Sequence, residues 1–576
     1  MIKYNITYDQ PQTQYIPIEA TFDVASDNFV ELQFPAWRPG RYERGDFAKN
    51  IHSFQVYDEN GKKVEWFKIA KDCWKVDTSS SQQIKVRYKY FAAELNAGST
   101  YMDDQQLYVN GVNCLIYIQD QINEACELSL CIPESFEIAC GKKFESNAAT
   151  FKDYHELVDC PFIASASMQH LNFNCKGVEF HLWFQGDCQL NEEQLLSDFE
   201  KYTVAQIEHF EEFPVTTYHY LFQILPIQAY HGVEHQTSTV IALGPTYDLM
   251  GKLYDELLGV SSHELYHTWN VKALRPQEMF PYDYSKENYS RLGYVTEGVT
   301  TYMGDLYLAA SGVKDWSWYK KELEKLLQRH FDNSGRFNYS VAQSSFDTWL
   351  DGYVAGSPNR KVSIYNEGAL LSFCVDAKIR TNSNNKKSLH DVMREMYNRF
   401  AKKNKGYSER DFQGVVEEFA DENLDDFFKN YYYGTHSFEG ILAPALEQVG
   451  LQIKMKRNPS LSKSLFGTVY TIEQGKTVVK KIAPGSVAEL GGIMHEDKLL
   501  AINGFEINKD FDAWLGYFEG KQLHITISRK GRIMELTCPN TNKSYFPIYE
   551  IEKLKAPSNL QKRIFKKWCG SDWDEI

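Results

Sequence analysis

The sequence predicts a multidomain α+β chain, and three observations carry that expectation. Its 576 residues exceed the usual ~100–150 of a single domain several-fold. The hydrophobic period changes from strand-like to helical and back along the chain, and clusters of Gly, Asn, Asp and Ser bound the segments. In order, the alternating runs ATFDV, FVELQF, SFQVYD, IKVRYKYF and ELSLCI predict an N-terminal β-rich domain over 1–170. Next, EFHLWF and HYLFQILPI read as strands bracketing the helical stretch NEEQLLSDFEKYTVAQIEHFEEF, and they open a mainly helical unit over 171–330. Amphipathic spacing in WYKKELEKLLQRHF and LHDVMREMYNRF continues this pattern, which makes 331–455 a helical extension with a surface loop at NSNNKK (382–387). Strand-like runs return in GTVYTI, TVVKKI, KLLAING and HITISRK around a short helical SVAELGG, predicting a small module over 456–545; 546–576 form a charged, aromatic tail.

Composition narrows the function. Apolar residues at 43% and charged residues at 24% are globular values. Lys plus Arg at 62 against Asp plus Glu at 77 leaves a net charge of −15, which gives no electrostatic footprint for nucleic acid. No apolar run approaches the ~20 residues that span a bilayer, so no membrane partner is expected. No export signal heads this chain, and a cytoplasmic location is the expectation. The 11 cysteines are irregularly spaced without a C-x-x-C, so reduced, mostly buried thiols are expected rather than a disulfide scaffold.

The chemistry concentrates at VSSHELYHTW. On a helix, His263 and His267 at i and i+4 share one face and can reach one metal ion, with the Glu264 carboxylate beside them. A catalytic zinc takes three protein ligands and leaves one position to water. Glu297, in GYVTEGVTTYMGDLYLAASG, is the candidate third ligand, at the start of a second amphipathic helix running from about Thr296 to Gly312. Alone it would read as an acid favouring a helix start; beside H-E-x-x-H it completes a His₂Glu set. Upstream, Tyr230-His231-Gly232-Val233-Glu234 ends a strand, and Glu234 could hold a substrate ammonium or be a surface acid at a turn. Tyr365, in VSIYNEGALLSF, could donate to an oxyanion from a helix start, although most of the 37 tyrosines must be structural.

Taken together, H-E-L-Y-H, T-E-G-V-T-T-Y-M-G-D-L, G-V-E-H, Y-N-E-G-A-L and the N-terminal FPAWRPGRYERGDFAKNI (34–51) resemble the glycyl aminopeptidase family of zinc metallopeptidases, relatives of the aminopeptidase N group. The resemblance covers nearly the whole chain. It implies a β domain, a thermolysin-like catalytic domain with a helical extension, and a C-terminal PDZ domain. It assigns one Zn²⁺ per chain to His263, His267 and Glu297, the base to Glu264, amine recognition to Glu234 on the Gly232–Val233 edge, and oxyanion stabilisation to Tyr365. This chain departs from the family in having His231 before Gly232, where relatives often have a second glycine, and Glu367 where they often have Lys. The PDZ likeness rests on Leu465, Phe466 and Gly467, which resemble a carboxylate-binding loop, and on the run VVKKIAPGSVAELGGIMHEDKLLAINGFEI; the module could bind a C-terminal peptide or only pack.

The expected function is therefore a zinc aminopeptidase that removes N-terminal residues, small ones by resemblance, from peptides with a free N-terminus. Two rivals use the same features: a zinc endopeptidase with PDZ-mediated substrate capture, and a PDZ scaffold with an inert peptidase domain.

Overall fold

The structure, a computed structural model, describes residues 1–24, 28–354 and 356–575. In the N-terminal region, alternation in Ile2–Thr7, Tyr15–Asp23 and Gln83–Phe91 buries every second side chain, as a sheet with one solvated face requires. These strands form the middle of a six-stranded sheet whose order is 148–151, 126–131, 2–7, 15–23, 83–91 and 51–58. A four-stranded sheet (117–118, 29–33, 73–77, 66–70) closes the core over Trp37, Trp74 and Tyr117. A third sheet (137–140, 162–165, 106–109, 101–102) faces the next unit, where Tyr108, Ala139 and Ile163 pack with Leu221, Val233 and Val240.

The middle of the chain opens on a five-stranded sheet in the order 169–175, 178–185, 217–224, 238–244 and 229–234. The strands Val178–Gln185 and Thr217–Ile224 run parallel, joined by the helix Glu192–Phe210, which is capped by the Asn191 side chain. Ala229–Glu234 is the edge strand and is antiparallel to Ser238–Gly244. Behind the sheet stand the helices Tyr254–Tyr266, Thr300–Ala310, Trp316–Phe331 and Ile364–Asn382, and one hydrophobic core runs through them all.

The tail belongs to this core. Ile548–Lys553 pairs antiparallel with Leu451–Lys456, with Lys456 opposite Ile548. The helix Asn559–Cys569 buries Ile564, Phe565 and Trp568, and the Trp568 indole donates to the Tyr302 hydroxyl at 2.8 Å. The small module is thus inserted between two neighbouring strands of a hairpin. It has its own core around Phe466, Val479, Leu499, Phe511 and Ile525, and a six-stranded sheet in the order 468–473, 476–482, 498–502, 523–529 and 532–538, with the short strand Phe505–Glu506 paired to 498–502 off that path. All 11 cysteines are free thiols, and Cys131 alone is exposed. Among the described residues no helix is long and apolar enough to cross a membrane.

Candidate active site

His263 lies on the last full turn of Tyr254–Tyr266, and His267 caps that helix, so their imidazoles share one face as the spacing dictates. Their Nε2 atoms are 3.0 Å apart, and Glu297 Oε2 is 3.7 Å from His263 Nε2 and 3.4 Å from His267 Nε2. A tetrahedral ion with bonds of ~2.0–2.1 Å sets its donors about 3.3 Å apart, so two imidazoles and a carboxylate with these separations fit a zinc ion. The supporting contacts agree with that use. The His267 Nδ1–H donates to the Asn270 carbonyl at 2.7 Å, which leaves the Nε2 lone pair for the metal. Tyr42 donates to Glu297 Oε1 at 3.1 Å and leaves Oε2 for the histidines. Burial opposes charge at His267, yet Glu297 and Glu234 outweigh it and push its pKa up to about 10; a cation bound there takes the place of that proton.

Glu297 does not begin an α-helix. Tyr294–Val299 is a π-helix, and the α-helix follows from Thr300 to Ala310. Such widened turns recur at functional sites. Two glycines fix its position: a Cβ on Gly298 would lie 2.4 Å from the Gly368 Cα, so the π-helix and the start of Ile364–Asn382 touch backbone to backbone. That contact carries Tyr365 to the metal site, with its ring 6.5 Å from His263, and its hydroxyl lies 3.4 Å from the Tyr353 hydroxyl. Glu367 turns away and is buried against His330, whose Nδ1 donates to it at 2.7 Å.

Glu264 and Glu234 share the other side of the site. Burial first, then the Glu234 and Glu297 charges, push the Glu264 carboxyl well above its usual range, which suits a group that must take up a proton. The edge strand crosses directly over it: a Cβ on Gly232 would lie 2.2 Å from Glu264 Oε1, so a larger residue there would push the Glu264 carboxylate aside. Val233 points the opposite way, into the core against Leu221 and Val240. Glu234 is 4% exposed, and its Oε1 has no hydrogen-bond partner among the described residues. Its carboxylate can approach one centre together with Glu264 and His267.

The N-terminal domain completes this end, which the sequence reading did not foresee. Gly40 (φ +80°) abuts Glu234 so closely that a Cβ would lie 2.5 Å from its Oε2. Arg38 donates to His231 Nε2 at 3.4 Å. Asp159 accepts from Lys272 Nζ (2.7 Å), His235 Nδ1 (3.1 Å) and the Gln236 N–H (3.0 Å), tying the chain just after Glu234 and the chain just after His267 to one carboxylate. The 34–51 motif was the available signal for Gly40 and Tyr42; no local pattern marks Asp159.

Glu234, Glu264, the three metal-ligand candidates and Tyr365 all line one cavity of about 750 Å³. Leu465, Phe466 and Gly467 lie elsewhere, in the module. Gly467 (φ +79°) donates its N–H to the Ser462 carbonyl, Phe466 is buried, and the Tyr545 ring packs on Gly467 at 3.3 Å from the position of a Cβ.

Two family models match the chain: the Peptidase M61 N-terminal domain over residues 3–166 and M61 glycyl aminopeptidase over residues 256–371. No curated protein matches it. Among solved structures it is similar to an aminopeptidase N family protein from Idiomarina loihiensis, at 26% identity over 99% of this chain and 100% of that chain, with a TM-score of 0.91. It is also similar to an M1 zinc metallopeptidase from Deinococcus radiodurans, at 12% identity over 76% of this chain and 94% of that chain, with a TM-score of 0.48. The chain thus carries Peptidase M61 domains, one at its N-terminus and one around the histidine helix, and these domains with the likeness to the aminopeptidase N family protein support an aminopeptidase of the metallopeptidase class.

Proposed function

We propose that this protein is a zinc aminopeptidase, with one zinc per chain on His263, His267 and Glu297, that removes small N-terminal residues such as Gly or Ala from peptides. The observation that carries the reading is a buried, unpartnered Glu234 oxygen in the same cavity as a His₂Glu donor set and a buried Glu264. When bound, zinc supplies a Lewis acid that polarises the scissile carbonyl and lowers the pKa of water toward ~7. Glu264 takes the proton of the attacking water and passes it to the leaving amine. Tyr365 donates to the oxyanion, and the edge-strand backbone at Gly232 and Val233 aligns the substrate. Glu234 accepts from the α-ammonium, and Gly40 closes the cleft behind it, leaving no room for residues further upstream.

The proposed organisation is the β-rich domain 1–170, a thermolysin-like catalytic domain 171–330 with its extension 331–455, a PDZ domain 456–545, and the tail 546–576, which returns to the core of the extension. For the PDZ domain, the engaged Gly467 N–H and the Tyr545 ring over it favour a packing role over capture of a peptide C-terminus.

The test is one peptide in free and N-acetylated forms. The parent protein is expected to cleave the free form far faster, and Glu234→Ala to lose about 10–100-fold in kcat/KM on it, as expected for a charge-assisted contact of ~1.5–3 kcal/mol, with metal content unchanged. Equal cleavage of both forms by the parent would establish the endopeptidase rival instead.

A further inference from the structure

We propose that the cleft continues beyond the scissile bond into a second cavity that binds a carboxylate of the substrate, anchored by Arg329 and Lys481. The inference rests on the aminopeptidase reading of the neighbouring site. The second cavity, of about 670 Å³, lies between the helix carrying Arg329, the loop 356–361 and the inserted module, which contributes Lys480, Lys481 and His495. Thr301, Leu326, Arg329, Ser363 and Tyr365 line both cavities, so the two are continuous past the oxyanion side of the metal site. Glu234 and Gly40 line only the first, so a chain held there by its ammonium group runs toward the second.

The two cavities have opposite polarity. The first is lined by seven carboxylates against three Lys or Arg side chains, and the second by five Lys or Arg side chains against three carboxylates. The recess is thus cationic in a protein whose net charge is −15. Most of its cations are already engaged: Arg360 with Asp347 and Asp351, Lys361 with Asp351, and Lys480 with Glu473 (2.6 Å) and Glu496 (2.7 Å). Arg329 and Lys481 have no side-chain hydrogen bond or ion pair among the described residues and are exposed to the cavity. Asp332, the acid within electrostatic reach of Lys481, already accepts from Gln328 at 2.9 Å. A short peptide carries an ammonium at one end and a carboxylate at the other, which is the polarity of this pair of cavities, and a guanidinium is the side chain best shaped to grip a carboxylate. The carboxylate can be the C-terminus of a short peptide or an acidic side chain of a longer one.

The experiment uses peptides of two to six residues that share one N-terminal residue. Each is made as a free acid, as a C-terminal amide, and as an amide with Asp in the last position. For the parent, kcat/KM is expected to favour the acid over the amide by about 10-fold at one preferred length, mostly through KM. An equal gain for the Asp amide assigns the site to side chains as well as termini. Arg329→Gln and Lys481→Gln are each expected to bring the acid-to-amide ratio toward one. A ratio near one at every length in the parent, unchanged by either substitution, overturns the carboxylate site. Calorimetric titration of the same peptides into Glu264→Gln separates the two readings. No acid-over-amide preference in binding overturns the carboxylate site, whereas that preference without cleavage by the parent overturns only the aminopeptidase reading.

Discussion

The proposed metal site and the inserted module are held in opposite ways. At the proposed metal site each candidate donor is tied to another stretch of chain: Asn270 accepts from His267 and donates to the Val295 carbonyl (2.8 Å) and Thr300 Oγ1 (3.1 Å), joining the histidine helix to the π-helix of Glu297. Gly304 lets the following helix pass within 3.0 Å, measured from its Cβ position, of the His263 Cα. Tyr42 reaches Glu297 from 255 residues away. The module has a closed core of its own, enters and leaves through one hairpin, and faces the cleft with three side chains. The difference teaches where each kind of change should register. Disturbing the first region should alter metal and turnover, and disturbing the second should alter substrate choice.

The sharpest test of that division is at the ligands. His263→Ala and Glu297→Ala each remove one of three donors, so both are expected to lose zinc and all measurable cleavage, read by metal analysis of the purified proteins. Retention of full zinc by Glu297→Ala would take that residue out of the set. Glu264→Gln should part the two properties, because it keeps the shape of the side chain and leaves the donors alone. Bound metal with turnover lowered by at least ~10² is expected, and a near-normal rate would mean that another group takes the proton.

Asp159 tests whether the amine end and the metal end are braced together. Burial disfavours its charge, but Lys272 and His235 outweigh burial and hold its pKa well below the usual carboxylate range. A carboxylate held that low in the folded state contributes stability above its unfolded value of ~3.9, and the contribution fades as pH falls below about 5. Asp159→Asn leaves Lys272 buried and unpaired, so a loss of ~3–5 kcal/mol at neutral pH is expected. The Tm gap between parent and variant should narrow as pH is lowered from about 5 toward 3.5. A gap independent of pH would mean that the contact works by shape alone.

The contrast between the regions also explains what could be read in advance. His263, Glu264 and His267 follow from helix geometry within five residues, and the alternating strands of the first domain follow from a period of two. Glu297 was within reach because its segment is amphipathic, but the π-turn that holds it was not, since it lies where Gly298 meets Gly368 backbone to backbone, a contact that no local spacing displays. The packing of the tail was left open for a different reason. Its lysines and acids obscure an apolar face of Ile564, Phe565 and Trp568 behind a Ser558 and Gln561 capping box, a pattern present in SNLQKRIFKKWC. Contacts such as Asp159 with Lys272, 113 residues apart, and Gly40 with Glu234 arise only when two domains dock, and no window along the chain contains them.

The smallest expected effect comes from removing the module, and the hairpin makes a clean removal possible. Cutting the chain at 456 would also delete Ile548–Lys553 and the helix that buries Trp568, so it would damage the main core whatever the module does. Replacing 457–547 by a short turn instead joins Lys456 to Ile548, which already face each other in the antiparallel ladder, and a two-residue Asn-Gly link suits that geometry. The catalytic core, with its ligands, Glu234 and Tyr365, then stays whole. Cleavage of a dipeptide-like reporter that ends before the second cavity is expected to change less than about 3-fold, because no group that touches it has been removed. If the reporter loses activity as heavily as longer peptides do, the module is a structural brace of the metal centre, and the two regions are not separable.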